Sequence, residues 1–355
     1  MNGGEYIKGR GAQLNTHNPF FEQQLVREHI EGIDEWDELH TNDSTQYIEV
    51  FPKTILNKVE SPDIGMGWSM NPYQGCEHGC IYCYARNTHN YWGYSAGVEF
   101  EQKILVKKNA PELLEKALMN PKWQPATIMF SGNTDCYQPA ERKFEITRNM
   151  LKVLLKFKHP VGIITKNALI LRDLDLLEAL NEHDLVHVSI SFTSLNEKVR
   201  GLLEPRTTSA KKKLQIIETL ASKNIPVNVM LAPVIPAVNS DEIVDIIKAT
   251  ANAGANNINY LVVRLNGAIG DLFTDWVNKN FPDRANKILH QIENMHGGKL
   301  NDSRFSTRMK GEGNFAKQIH NIFTIAKNKY YKGRTMKPYN FNAFERPQQG
   351  QMKLF

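Results

Sequence analysis

Beyond about residue 60 the chain alternates short apolar runs with longer amphipathic stretches. The runs Trp68–Asn71, Thr127–Ser131, Val161–Lys166, Val186–Phe192, Val227–Ala232 and Ile258–Arg264 are β-rich and too short to be helices. Between them, Pro111–Met119, Glu141–Phe157, Ile170–Asn181, Ser209–Ser222 and Ser240–Ala253 carry helical spacing. Ser209 and Ser240 stand where N-caps belong, and Gly254 follows the last of these helices as a stop. Strand and helix in this order predict repeated βα units, and six units close most of a barrel. The expected fold is therefore α/β, a partial (β/α)6 TIM-like barrel. Further helical patterns follow at Asp271–Lys279 and Asp283–Met295, leading into a polar, glycine-containing tail. Before residue 60 the apolar positions, such as Phe20, Phe21 and Trp36, are isolated. The expected organisation is an N-terminal extension (1–60) draped over the barrel (61–265), then a helical and irregular C-terminal region (266–355).

A 355-residue chain with 41% hydrophobic and 23% charged positions can bury a full core. Met1–Gln13 has no apolar segment that would serve as a signal peptide, and no run approaches the roughly 20 apolar residues of a membrane span. Three of the four cysteines fall within eight positions, which suits a metal site in a reducing, cytoplasmic setting better than disulfides. Charge is uneven: residues 1–50 hold 10 acids against 3 Lys/Arg, whereas residues from 291 onward hold 12 Lys/Arg against 4 acids. In that basic end, Lys327, Lys329, Lys332, Arg334, Lys337 and Arg346 interleave with Tyr330, Tyr331, Tyr339, Phe341 and Phe344. Cations for phosphates and rings for stacking suit nucleic acid. The same pattern also describes a segment folded back over the barrel on aromatic anchors.

The strongest chemical signal is the loop after the first strand, where Cys76, Cys80 and Cys83 are spaced Cys-x3-Cys-x2-Cys. Barrel active sites are built at that end of the strands. Three thiolates on one glycine-containing loop can hold three irons of a cubane and leave the fourth open. The competing reading is zinc, with His78, His89 or Cys136 as fourth ligand. Against it, no second cysteine pair lies downstream.

The spacing, its place after a first barrel strand and the aromatic Tyr82 before the third cysteine resemble the radical S-adenosylmethionine (SAM) superfamily. The string Gly75-Cys76 to Cys80-Ile81-Tyr82-Cys83-Tyr84 is similar to the spore photoproduct lyase, or DNA-repair-photolyase-like, branch. Lys8-Gly9-Arg10-Gly11-Ala12, Cys83-Tyr84-Ala85-Arg86 and Gly350 to Phe355 resemble a bacterial radical SAM group named after a Pseudomonas member. The resemblance implies a [4Fe–4S] cluster whose open iron chelates SAM. It further implies one-electron cleavage of SAM to a 5′-deoxyadenosyl radical that abstracts hydrogen from a substrate. An electron donor of the flavodoxin or ferredoxin kind is implied with it.

By position, the resemblance makes Tyr82, Ser131, Gly132, Asn133 and Thr134 candidate SAM contacts, the last four standing where the family receives SAM's ammonium. Ser189 and Ser191 alternate with apolar residues on the fourth strand, so both hydroxyls share one face, where ribose contacts are expected. Lys166 and Arg206 are the cations that follow strands and can meet a carboxylate, with Lys166 preferred. Cys136 is the candidate hydrogen donor to a product radical, although it follows Asp135 where the lyase's cysteine precedes the aspartate. The alternative for Cys136 is an inert buried thiol. His78, between two cysteines, is read as loop filler. Three functional readings follow: a radical SAM enzyme acting on nucleic acid; one acting on a protein or small metabolite; and a non-catalytic, zinc-stabilised nucleic-acid-binding protein.

Overall fold

The computed structural model describes residues 6–20 and 44–347. Six parallel strands form the body: β1 (Trp68–Met70), β2 (Ile128–Phe130), β3 (Val161–Thr165), β4 (Val186–Phe192), β5 (Val227–Val234) and β6 (Asn257–Val262). They lie side by side in chain order, with Leu56–Lys58 antiparallel on the outer edge of β1. The first and last strands of the sheet do not pair, so the sheet stays open, consistent with a partial barrel. Each strand occupies a run expected from its β-branched and aromatic residues.

Helices α1 (Ala110–Met119), α2 (Ile146–Lys156), α3 (Leu174–Asn181), α4 (Ala210–Ser222) and α5 (Ile243–Asn252) alternate with the strands. On β4, Val188, Ile190 and Phe192 pack into the core shared with helix residues such as Ile216, Leu220 and Ile247. The alternate residues His187, Ser189 and Ser191 therefore face the barrel interior. Ser189 accepts a hydrogen bond there from Asn228 Nδ2 at 3.2 Å. Beyond β6 come α6 (Ile269–Asn280), α7 (Ala285–Met295) and α8 (Gly313–Tyr330). No helix among the described residues is long and apolar enough to cross a membrane.

Several expectations need correction. The helix expected over Glu141–Phe157 is broken at Glu145, which has φ 50°. The reason is Glu141, whose carboxylate accepts from Thr147 N (2.9 Å) and Arg148 N (3.2 Å) and so starts a new helix. Ser209 does cap α4 through Lys212 N, whereas Ser240 turns its hydroxyl back to Ala237 N and caps nothing. A second, small sheet was not anticipated: Gln46–Val50 pairs in parallel with Lys103–Lys107, which pairs antiparallel with Tyr73–Gln74. Phe21, Trp36 and Gly350 to Phe355 lie outside the described residues.

The basic tail takes the second of its two readings. Arg334 donates to the carbonyls of Ala251 and Ala255, and Arg346 to those of Leu118, Asn120 and Trp123. Lys327 reaches Asn257 Oδ1 and the Ile258 carbonyl, and Lys337 pairs with Asp184. Tyr339 stacks on His187 with centroids 3.8 Å apart, and Phe344 packs on Phe157 and His159. These partners cluster where strands begin, so cations and rings seal the end of the barrel opposite the cysteine loop.

Candidate functional site

The cysteine loop leaves β1, makes the short strand Tyr73–Gln74 and turns at Gly75 (φ 78°) and Gly79 (φ 69°). A side chain at Gly75 would meet the Lys103 carbonyl at 2.6 Å. Cys76 and Cys80 are 6% and 5% exposed and Cys83 is half-buried; none is in a disulfide. Burial first, then neighbouring negative charge, holds the Cys76 and Cys80 thiols well above their ordinary range. Burial also raises Cys83. Thiolates here therefore call for a bound cation to offset the desolvation.

Among the described residues no three His, Cys, Asp or Glu side chains are gathered tightly enough for a single metal ion. Two of the three candidate fourth ligands for zinc, His78 and Cys136, are engaged elsewhere, whereas both ring nitrogens of His89, beside Gly75, are buried with no hydrogen-bond partner among the described residues. His78 holds Asn167 Nδ2 at 3.0 Å and faces Asp135 at 3.4 Å, and Cys136 lies in the main hydrophobic core. Three cysteines on one loop at the barrel mouth are a ligand set that an iron–sulfur cluster can use.

The loop is gripped from two sides. On one side stands Glu101, fully buried, which accepts from Arg86 Nη2 (2.5 Å), Gly11 N (3.0 Å) and Ala12 N (2.9 Å). Arg86, also fully buried, donates its Nε to the Cys80 carbonyl at 2.9 Å. Gly11 lies directly on the loop, since a Cβ there would come within 1.8 Å of the Gly79 carbonyl oxygen. The Lys8-Gly9-Arg10-Gly11-Ala12 segment is thus part of the loop's foundation rather than a drape. Arg206 completes the strap, with Nε on the Gly9 carbonyl (3.1 Å) and a guanidinium nitrogen 3.8 Å from Glu77. That engagement takes Arg206 out of contention as a carboxylate receptor.

On the other side is Glu204, with no exposed surface, reached through Glu197–Leu203 after β4. Its carboxylate accepts from Tyr82 OH (2.7 Å), Thr193 Oγ1, Thr207 Oγ1 (3.0 Å) and Lys213 Nζ (3.1 Å). Burial pushes its pKa up, but the charges of Lys213 and Lys166 outweigh that and hold it well below the carboxylate range. Backbone bonds from Ile81 N to the Leu203 carbonyl and from Arg206 N to the His78 carbonyl pin the loop beside it. The Tyr82 hydroxyl is thus fixed to protein, leaving its ring, over which Lys166 Nζ stands 5.7 Å from the centroid. Lys166 makes no side-chain hydrogen bond to any described residue. Against the cost of burial, the charges of Glu204, Cys80 and Asp135 raise its pKa and keep it protonated.

The loop after β2 joins the same mouth. Ser131 sits at φ 67° and accepts from Cys136 N (2.9 Å). The Gly132 carbonyl accepts from Tyr84 OH (2.7 Å). Asn133 is bonded to Asn71, Gln74 and Thr88, and Thr134 donates to the Tyr73 carbonyl (2.6 Å). These four residues lie beside the cysteine loop with most of their side-chain bonding used to hold the two loops together. Asp135 anchors them, accepting from Thr165 Oγ1 and Lys166 N, both at 2.8 Å, while facing His78. His78 is therefore a buried bracket and not loop filler. Cys136 has no exposed surface and belongs to the same core cluster as Tyr73, Tyr137 and Ile146. Glu101, Glu204 and Tyr84 carried no sequence signal beyond Tyr84's adjacency to Cys83.

Residues 70–250 match the radical SAM superfamily. An uncharacterized protein of Mycobacterium tuberculosis is 29% identical over 248 residues, covering 69% of this chain and 73% of the relative. One from Methanocaldococcus jannaschii is 29% identical over 195 residues, covering 55% and 70%. Among solved structures, spore photoproduct lyase complexed with dinucleoside spore photoproduct superposes with TM-score 0.59 at 13% identity, over 81% of this chain and 80% of the lyase. Half the chain matches one superfamily, and its fold is similar to that of the lyase. The chain belongs to the radical SAM superfamily and is a radical SAM enzyme on a spore-photoproduct-lyase-like fold.

Proposed function

We propose that residues 61–265 form the catalytic unit, that Cys76, Cys80 and Cys83 hold one [4Fe–4S] cluster, and that the enzyme acts on nucleic acid in the reducing cytoplasm. The observation that carries the cofactor reading is three cysteines, two buried and one half-buried, on one loop at the barrel mouth. When bound, the cluster supplies one-electron reductive cleavage of SAM, whose deoxyadenosyl radical takes hydrogen from the substrate.

The chain's own residues supply position. Lys166, protonated and with no hydrogen-bond partner for its ammonium among the described residues, is the receptor for SAM's carboxylate. The Ser131–Gly132–Asn133–Thr134 loop offers its backbone to the ammonium. Ser189 and Ser191, on the interior face of β4, suit ribose hydroxyls. Tyr82, locked by Glu204, presents a fixed ring beside them. Radical SAM catalysis needs an electron donor; a flavodoxin- or ferredoxin-like protein approaching Cys83, the most exposed of the three, fits best. Likeness to a lyase whose structure holds a dinucleoside photoproduct supports the nucleic-acid reading.

The test is anaerobic reconstitution of wild type and a Cys76/Cys80/Cys83→Ala triple variant. About four irons per chain and 5′-deoxyadenosine formation from SAM and dithionite are expected in wild type only. Stoichiometric zinc without SAM cleavage would refute the reading.

A further inference from the structure

Arg264 follows β6 at the mouth of the barrel. Its neighbours Val263 and Leu265 are buried in the cluster beneath α6 and α7, so the alternating side chain of Arg264 turns away from them toward the opening. There it makes no hydrogen bond or ion pair with any described residue. Neighbouring cations are all matched: Arg308 donates to Asp63 (2.5 Å) and Ser61 (2.6 Å), and Arg304 to Asp302. Burial, and then the charge of Arg308, hold the Arg264 pKa below the guanidinium range, a penalty that an arriving anion removes.

Two exposed rings lie on the segments that border this strand end. Bonds from Val262 N to the Met309 carbonyl and from Leu265 N to the Leu300 carbonyl lay residues 300–309 along this strand end. That brings Phe305, 55% exposed, with Arg308 4.5 Å over its ring. On the other side Asn87 donates to the Asn266 carbonyl (2.8 Å) and accepts from Ala268 N (3.1 Å), which draws up the segment carrying Tyr84, 48% exposed.

Building on the radical SAM reading above, we propose that Arg264 receives a backbone phosphate of a single-stranded or unstacked nucleic-acid substrate, with Tyr84 and Phe305 offering faces for bases on either side. An unpaired guanidinium with exposed rings on the bordering segments is what such a strand requires. SAM's carboxylate is the competing oxyanion, but Lys166 stands at the cysteine loop, its Nζ 5.7 Å from the centre of the Tyr82 ring, whereas Arg264 follows β6. Arg334 and Arg346 of the tail are spent on carbonyls at the opposite end, away from this rim.

The test uses the full-length reconstituted protein and a fluorescein-labelled single-stranded DNA of about 12 nucleotides. Anisotropy is titrated at several salt concentrations for wild type, Arg264→Gln, Arg264→Lys and Lys332→Gln, the last removing one exposed charge at the far end. Arg264→Gln is expected to weaken binding roughly tenfold and to make the slope of log affinity against log salt shallower by about 0.7. Arg264→Lys restores most of both, and Lys332→Gln changes neither. Equal affinity in wild type and Arg264→Gln overturns the proposal, as does loss of SAM affinity with oligonucleotide binding retained, which assigns the residue to SAM's carboxylate. SAM cleavage by wild type, measured separately, tells failure of the enzyme reading from failure of this one.

Discussion

Gly11→Ala tests whether the N-terminal strap is a working part of the cluster site. The new Cβ would lie 1.8 Å from the Gly79 carbonyl oxygen and 3.0 Å from its carbon, both backbone atoms that cannot swing aside. The strap must retreat by at least about 1 Å to reach tolerable contact. Such a retreat breaks or badly stretches the bonds from Gly11 N and Ala12 N to Glu101, now 3.0 and 2.9 Å. Each is a hydrogen bond to a buried carboxylate, worth about 1.5–3 kcal/mol. Arg86 still neutralises Glu101 and partial relaxation recovers some contact, so a net loss of about 3 kcal/mol is expected. Gly79 is also freed on one side, and the cysteine loop with it. Urea denaturation of the apo protein, paired with iron content after anaerobic reconstitution, reads both effects. Gly201→Ala is the control: it sits in a helix with open space around its Cβ and should gain about 0.5–1 kcal/mol. Equal stability and iron loading in Gly11→Ala and wild type would refute the claim that the strap is locked onto the loop.

Glu204→Gln leaves Lys213, 1% exposed, without its counter-charge and should cost about 3–5 kcal/mol of stability. Adding Lys213→Met should recover much of it in urea melts; no recovery would mean the pair is not what the carboxylate serves. His159 accepts from Trp123 Nε1 (3.1 Å) and donates from Nδ1 to the Pro160 carbonyl (2.9 Å), so it folds neutral, and burial lowers its pKa to about 4. Because the folded pKa lies below the unfolded value of about 6.5, the unfolded chain binds more protons in between. Stability from this group is complete above pH 6.5 and lost as pH falls toward 4, by roughly 3 kcal/mol at most. His89, lowered to about 4 by burial, adds in the same direction. The urea midpoint of His159→Gln should fall less steeply than wild type across that window, and identical profiles would contradict the buried neutral tautomer.

The parts of this molecule that were legible in the sequence are those written locally. Val161–Thr165 and Val186–Phe192 announce themselves by β-branched runs, and the Cys76–Cys83 spacing states its chemistry on one loop. What escaped is written in pairs of residues far apart. The small sheet joins Gln46–Val50 to Lys103–Lys107 across the whole cysteine loop, and no local pattern marks a strand that exists only because a distant one pairs with it. Glu145 breaks a continuous helical pattern because Glu141 captures the next helix's N–H groups, a choice invisible to periodicity. Glu101 and Glu204 look like ordinary surface acids in the sequence, yet both are fully buried, each beside a buried cation.

The basic tail shows how composition misleads when it is separated from topology. Counting cations and rings favours nucleic acid as readily as packing, because both uses want the same side chains. Position decides between them. Arg334 and Arg346 satisfy carbonyls left open at helix ends, and Tyr339 covers the barrel floor by stacking on His187. A group already saturated by protein acceptors has little left for phosphate, whereas Arg264 has no side-chain hydrogen bond to any described residue. The net positive charge of the C-terminal third is thus largely consumed in closing the fold. Binding by this enzyme is expected to depend on a few placed cations at the mouth, giving a salt dependence far weaker than the tail's charge would suggest.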